Sequence, residues 1–206
     1  MAARVNEETA IRTGGADKRA LIIDAALNLF RHYGYRRTSM EDVAGAANVA
    51  KGTLYIYFKS KDELFEALAR QLAERVEADL KSVAERGLGT EAKILALLDA
   101  KLGFMYRWIL SSPHAAELLD SKVELSEDIF GPVDKSFRAS IAKALKDGVR
   151  SGELDLKSAG LSLEGATDTL IAAAHGAENG ARDEADFRDR LARIVRLSLR
   201  GLRKSA

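Results

Sequence analysis

Apolar residues along this chain recur at intervals of three and four, and no stretch alternates with a sustained period of two. That spacing belongs to helices that bury one face, and it predicts an all-α protein. Leu21, Ile22, Ala25, Ala26, Leu29, Phe30 and Tyr33 form the first stripe. A helix is therefore expected from Lys18 to Tyr33, capped by Asp17 and ended by Gly34. The next helix is expected to open at Thr38 or Ser39; Thr38 and Glu41 have the spacing of a capping box, and the helix turns Met40, Val43, Ala44 and Ala47 inward. Asn48 marks a turn, because Asn takes positive φ at little cost. A third helix, from about Ala50 to Phe58, buries Leu54 and Phe58. Ser60 and Glu63 repeat the capping-box spacing and open a long helix. Its stripe of Leu64, Phe65, Leu68, Leu72, Val76, Leu80 and Val83 runs to Gly87-Leu88-Gly89.

Further along, Ile94, Leu97, Leu98, Leu102, Met105, Trp108 and Ile109 predict a helix from Glu91 to about Leu110, broken by Ser112-Pro113. Pro113 is placed to begin a short helix. Gly131-Pro132 is expected to punctuate again, before a helix through Phe137, Ile141, Leu145 and Val149 that ends at Ser151-Gly152. Two more helices are expected at about 158–178 and 184–202. The whole divides into an arm (1–17), a helix-turn-helix domain (18–65) and a larger helical domain (66–206).

With 206 residues, 47% of them hydrophobic, the chain is long enough for a substantial core. Cysteine is absent, which excludes disulfides and thiolate metal sites and suits a reducing compartment. No apolar run reaches the roughly 18 residues needed to span a bilayer, and the N-terminus lacks a secretory h-region. The expected location is the cytoplasm.

The net charge of +1 says little, but its distribution says more. Residues 1–62 carry ten Lys/Arg against seven Asp/Glu, and Val43 through Lys61 hold three lysines and no acid. In a chain that is 31% charged, an acid-free stretch of that length suits contact with a polyanion. Two short helices joined by a tight turn, the second tiled with Lys, Thr and Tyr, are what a helix-turn-helix DNA reader requires.

Several segments together carry a family likeness. They are Leu21-Ile22-Ile23-Asp24-Ala25-Ala26-Leu27-Asn28-Leu29-Phe30, Gly34-Tyr35, Thr38-Ser39-Met40-Glu41-Asp42-Val43-Ala44, Lys51-Gly52-Thr53-Leu54-Tyr55 and Phe58-Lys59-Ser60-Lys61-Asp62-Glu63-Leu64-Phe65. In order and register they resemble the N-terminal domain of TetR-family transcriptional regulators, over about Arg19 to Phe65, under a quarter of the chain. The resemblance implies a homodimer with an N-terminal DNA-binding domain and a C-terminal domain that dimerises and binds a small-molecule effector. It also implies a palindromic double-stranded operator and repression relieved by the effector. Two positions depart from the family pattern at the turn, with Asn48 and Ala50 where Gly and Ser are frequent. Ile56 stands where an aromatic residue or His is common.

A recognition helix puts its N-terminal residues against base edges in the major groove. Lys51 can donate to guanine O6 and N7, Gly52 lets the backbone approach, and Thr53 suits a base or a phosphate. Tyr55, Tyr57, Thr38, Ser39 and Lys61 are candidates for phosphate contacts at the groove walls and helix starts. Arg36, Arg37, Arg4 and Arg12 could reach the backbone or minor groove. Taken singly, Tyr55 as core, Thr38 as a plain cap and Lys61 as a solvated lysine are equal or better readings, but jointly the array is hard to explain without DNA.

In the larger domain, Phe104, Met105, Trp108 and Phe137, with His175 as a polar contact, are the candidate effector residues, although such a stripe is also ordinary core. Leu170 to Gly176 is rich in small residues, and the last helix carries Phe187, Leu191, Ile194, Val195, Leu197 and Leu202. This pair of helices is the candidate for an isologous four-helix dimer bundle. Catalytic readings are weak. His114 with Glu117 and His175 with Glu178 each supply only two potential ligands, and Ser140 to Lys143 matches Ser-x-x-Lys without the motifs that accompany it in enzymes. The expectation is a non-enzyme without metal or cofactor. The alternative is a helical adaptor that keeps the scaffold without binding an operator.

Overall fold

The computed structural model describes residues 2–114 and 123–203, with side chains over 18–114 and 127–203. Among these residues the regular elements are all helices, with no strand. The helices are α1 (Ala2–Tyr33), α2 (Met40–Ala46), α3 (Lys51–Tyr57), α4 (Lys61–Glu85), α5 (Thr90–Leu98), α6 (Val123–Arg150), α7 (Leu163–His175) and α8 (Glu184–Arg200). They form two compact units. One reaches Leu72 and includes the turn at Ser112; the other comprises Ala73–Ser111 and the chain from Glu127 on.

In the first unit, Ile22, Ile23, Ala26, Phe30, Val43, Leu54, Phe58 and Leu64 are essentially inaccessible to solvent. Each such Val, Ile, Leu or Phe side chain contributes about 1.5–3 kcal/mol by leaving water. The face of α1 is rotated by one residue from the expected stripe. Leu21 and Tyr33 lie outside, each 54% exposed, while Ile23 and Leu27 are buried. The run Ile22, Ile23, Ala26, Leu27, Phe30 is the densest helical stripe in the segment, and it takes the core side. The backbone of α1 is also helical from Ala2, so Asp17 lies within the helix rather than capping its start, and the expected arm is traced as helix. Gly34, at φ 87°, closes α1 with its N–H on the Phe30 carbonyl. Ser112 Oγ donates to the Arg31 carbonyl at 2.6 Å and fastens the later turn to this unit.

The second unit is built around Ile94, Leu97, Leu98, Leu102, Phe137, Ile141, Leu145, Phe187, Leu191 and Val195. Tyr106 stacks on Phe187, with ring centroids 4.6 Å apart. After α5 the backbone widens into two π-helical turns, Asp99–Gly103 and Tyr106–Leu110, where a uniform α-helix was expected. The Phe104 N–H reaches back to the Asp99 carbonyl, and the Ser111 N–H to that of Tyr106, each five residues away. Gly103 fits this arrangement, because a Cβ there would collide with the Asp99 carboxylate. Gly131-Pro132 does not interrupt the chain either, since α6 runs through both. The short helix expected after Pro113 falls on residues that are largely outside the described ones. Gly152, at φ 78°, ends α6 as the sequence suggested, and Leu154 bridges to Arg203 beyond α8. The Asp155 N–H donates to the Leu202 carbonyl at 2.7 Å there.

Candidate nucleic-acid interface

The two short helices are set by their caps. Ser39, not Thr38, caps α2. Its hydroxyl accepts from the Asp42 N–H at 3.1 Å, and the Asp42 carboxylate accepts from the Ser39 N–H at 2.8 Å. The box is therefore Ser39 with Asp42 rather than Thr38 with Glu41. At the far end the Ala47 N–H returns to the Val43 carbonyl, and Asn48 takes the left-handed conformation at φ 52°. Ala50 then opens α3 without a side-chain hydrogen bond; its carbonyl accepts from the N–H groups of Thr53 and Leu54.

Leu54 and Phe58, almost wholly buried, fix which side of α3 faces inward. The outward side carries Lys51, Gly52, Tyr55 and Ile56, with Thr53 and Tyr57 partly exposed at its flanks. Ile56 is 81% exposed, which makes it part of the outward face; its departure from the family pattern was the only signal in the sequence. No side chain stands against Gly52, so the backbone there is open to close approach. Lys51 forms an ion pair with Glu41 of α2 and lies 6.0 Å from the centre of the Tyr55 ring. The hydrogen bond between them holds the Glu41 carboxyl below its ordinary range and pushes the Lys51 ammonium up.

Two of the expected contact residues have their polar groups engaged within the protein. Thr38 is 2% exposed, and its hydroxyl donates to the Gly34 carbonyl at 2.8 Å. Lys61 points its ammonium into the 34–38 loop. There it donates to the carbonyls of Tyr35 at 2.8 Å and Thr38 at 2.9 Å, approaches that of Arg36 at 3.5 Å, and lies 4.5 Å from the Tyr35 ring centre. Tyr35 in turn packs edge-on against Phe30 and Phe65 and hydrogen-bonds the Asp62 carboxylate. Burial, then Asp62, drive its phenol far above the usual range. Ser39 is half-buried, with its hydroxyl engaged in the cap. Arg36 and Arg37 are exposed, while Arg4 and Arg12 lie outside the residues whose side chains are described.

Of the candidate effector residues, Phe104 and Trp108 come together, with ring centroids 6.0 Å apart. Met105 and Trp108 are partly exposed. Phe104 and Phe137 are core residues, and the Lys101 ammonium lies 4.9 Å from the Phe137 ring while pairing with Asp134. His175 ends α7 with its side chain half exposed and Nδ1 3.5 Å from Glu178. Among the described residues no three His, Asp or Glu side chains gather as a metal would require, and Glu117 lies outside them. No described helix is long and apolar enough to cross a membrane.

The bacterial regulatory proteins, tetR family, match residues 22–68. The fatty acid metabolism regulator protein of Bacillus subtilis is 31% identical over 164 residues, 73% of this chain and 79% of the relative. The HTH-type transcriptional repressor KstR2 of Rhodococcus jostii is 26% identical over 145 residues, 68% and 69% of the two chains. The crystal structure of transcriptional regulator FadR from Bacillus subtilis in complex with stearoyl-CoA superimposes with a TM-score of 0.65 at 21% identity, covering 89% of this chain and 98% of that one. With the helix-turn-helix geometry and these matches in hand, the chain belongs to the TetR family of DNA-binding bacterial transcriptional regulators.

Proposed function

We propose that the chain is an operator-specific repressor that binds a palindromic duplex as a homodimer and is released by a small-molecule effector. The observation that carries this reading is α3, a helix fixed by Leu54 and Phe58 that presents Lys51, Gly52, Thr53, Tyr55 and Ile56 outward on a stretch without an acid. Lys51 sits in the first turn, where side chains meet base edges, and suits guanine O6 and N7. Gly52 leaves room for a base, and the exposed aliphatic surface of Ile56 suits a thymine methyl. Tyr55, with Tyr57 and Ser39 at the flanks, places hydroxyls where phosphates would lie.

The effector is a molecule with apolar bulk, received in the second unit near Phe104, Met105 and Trp108. Support for a fatty acyl thioester comes from the name of the fatty acid metabolism regulator and from the stearoyl-CoA held by FadR. Such a ligand releases DNA only to the extent that it binds the DNA-incompetent state more tightly. Since α4 contributes residues to both units, it is the element through which the two sites communicate.

Selection of bound sequences from a random duplex pool, followed by titration of the winner, tests this. One enriched palindrome is expected, with half-sites about 34–36 Å apart centre to centre or a multiple of that. Lys51→Ala should relax the preference at one base pair per half-site, with a loss of about 1–3 kcal/mol of discrimination. Stearoyl-CoA is the first probe for release. A chain that enriches nothing and whose weak DNA binding ignores Lys51→Ala is an adaptor, not a regulator.

A further inference from the structure

Four carboxylates flank the recognition helix in sequence, and three of them are engaged in building the scaffold. Asp42 closes the Ser39 cap, Asp62 accepts from the Tyr35 hydroxyl, and Glu63 accepts from the Lys59 N–H at 2.7 Å. Glu41 differs. Its carboxylate reaches across the turn to the Lys51 ammonium, a side chain of the outward face, and both partners are more than half exposed.

An acid beside the groove-facing lysine of a DNA reader calls for an explanation, since it opposes the general attraction to phosphate. An ammonium has three donors. With one on Glu41, two remain, which matches the O6 and N7 acceptors of a guanine edge. Those acceptors are neutral and tolerate a carboxylate on the same ammonium. A phosphate held by Lys51 would stand within about 6 Å of the Glu41 carboxylate, two hydrogen-bond lengths away. That is inside the screening length of about 8 Å at physiological salt, so the two anions repel.

Resting on the operator-reading function above, we infer that Glu41 is a specificity-determining residue that withholds Lys51 from phosphates and leaves it available to a base edge. Glu41 touches no base on this account; it acts through Lys51. Its effect is to lower binding to arbitrary DNA more than binding to the operator, widening the ratio between them.

The test compares wild type, Glu41→Gln, Lys51→Ala and the double variant, each titrated against the selected palindrome and a scrambled duplex at several salt concentrations. Glu41→Gln keeps the shape and the exposed position, and Glu41→Ala serves as a second removal of the charge. The expected result is tighter binding of Glu41→Gln to scrambled duplex and a log K against log salt slope steeper by about 1.8 for the dimer, one further phosphate per protomer. The operator-to-scrambled ratio should fall by about threefold or more, in line with the loss of part of a base contact. In the Lys51→Ala background the same change should leave slope and ratio where they were. An unaltered ratio in Glu41→Gln, or an equal fall in the double variant, overturns the inference and leaves Glu41 as one surface charge among others. The wild type separates this from the parent reading. A wild type that selects no sequence removes both, whereas a wild type that selects a palindrome with an unaltered Glu41→Gln ratio removes this inference alone.

Discussion

Lys61 and Thr38 illustrate what a residue type conceals. Both stand at helix starts with the chemistry of phosphate ligands, and the sequence shows the type without the direction. Direction is decided by the loop between α1 and α2, whose backbone leaves carbonyls at Gly34, Tyr35 and Thr38 in need of donors inside the protein. Thr38 and Lys61 are those donors. Lys61→Met should therefore destabilise the first unit by about 1–3 kcal/mol, the range for leaving buried carbonyls without a donor, read as a lower midpoint in denaturant. The salt slope for scrambled DNA should stay as it was. A slope reduced by about 1.8 for the dimer, with unchanged stability, would return Lys61 to the phosphates. The outward position of Lys51, Gly52 and Tyr55, by contrast, was legible from sequence, because Leu54 and Phe58 fix the inward side of so short a helix.

At the scale of the element, caps and stripes located nearly every helix, and the errors fall where backbone geometry departs from the residue pattern. Across the π turns after α5 the buried face shifts, with Phe104 and Tyr106 inward and Met105, Trp108 and Ile109 partly exposed, a change of phase that a uniform 3.6-residue reading does not anticipate. Pro132 reads as a breaker, yet it is accommodated in the interior of α6. The start of α8 is the best-organised helix end in the second unit. Asp183 caps it, accepting from the Asp186 N–H at 2.8 Å, while the Asp186 carboxylate accepts from the Arg182 N–H and from Arg190, each at 3.1 Å. The backbone bond from Arg182 first, then Arg190, bring the Asp186 carboxyl from 3.8 to about 2. A carboxyl depressed on folding adds stability at pH values above its unfolded pKa, and that stability fades as pH falls toward the folded value. Asp186→Asn should thus melt below wild type at pH 7, with the gap narrowing from about pH 4 and closing near pH 2. Thermal melts across that window check it, and a gap independent of pH would assign the loss to shape rather than charge.

For the whole molecule, the sequence pointed to the last two helices as the pairing surface without saying which apolar residues face out. Phe187, Leu191, Val195 and Leu199 are consumed by the protomer's own core, whereas Leu197 is 70% exposed and Ala172 and Ala173 of α7 lie on the surface. In the proposed dimer Leu197 meets its counterpart region across the two-fold axis, where one substitution acts twice. Leu197→Glu should shift the chain to monomer in sedimentation and abolish tight binding to the full palindrome while sparing weak half-site binding. A dimer that survives the substitution would move the interface elsewhere.

The widened backbone at Asp99–Gly103 and Tyr106–Leu110 gives this segment an unusual tolerance. A bond that reaches back five residues instead of four holds one residue beyond what an ordinary turn needs. That surplus is slack in the chain's length. Deleting a single residue there can be absorbed by closing the turn to α geometry, with Leu97 and Leu98 before it still inward. The same deletion in α4 or α8 would turn every following side chain by about 100°. A hereditary change in length, ruinous in most helices of this protein, has in this segment a place to disappear.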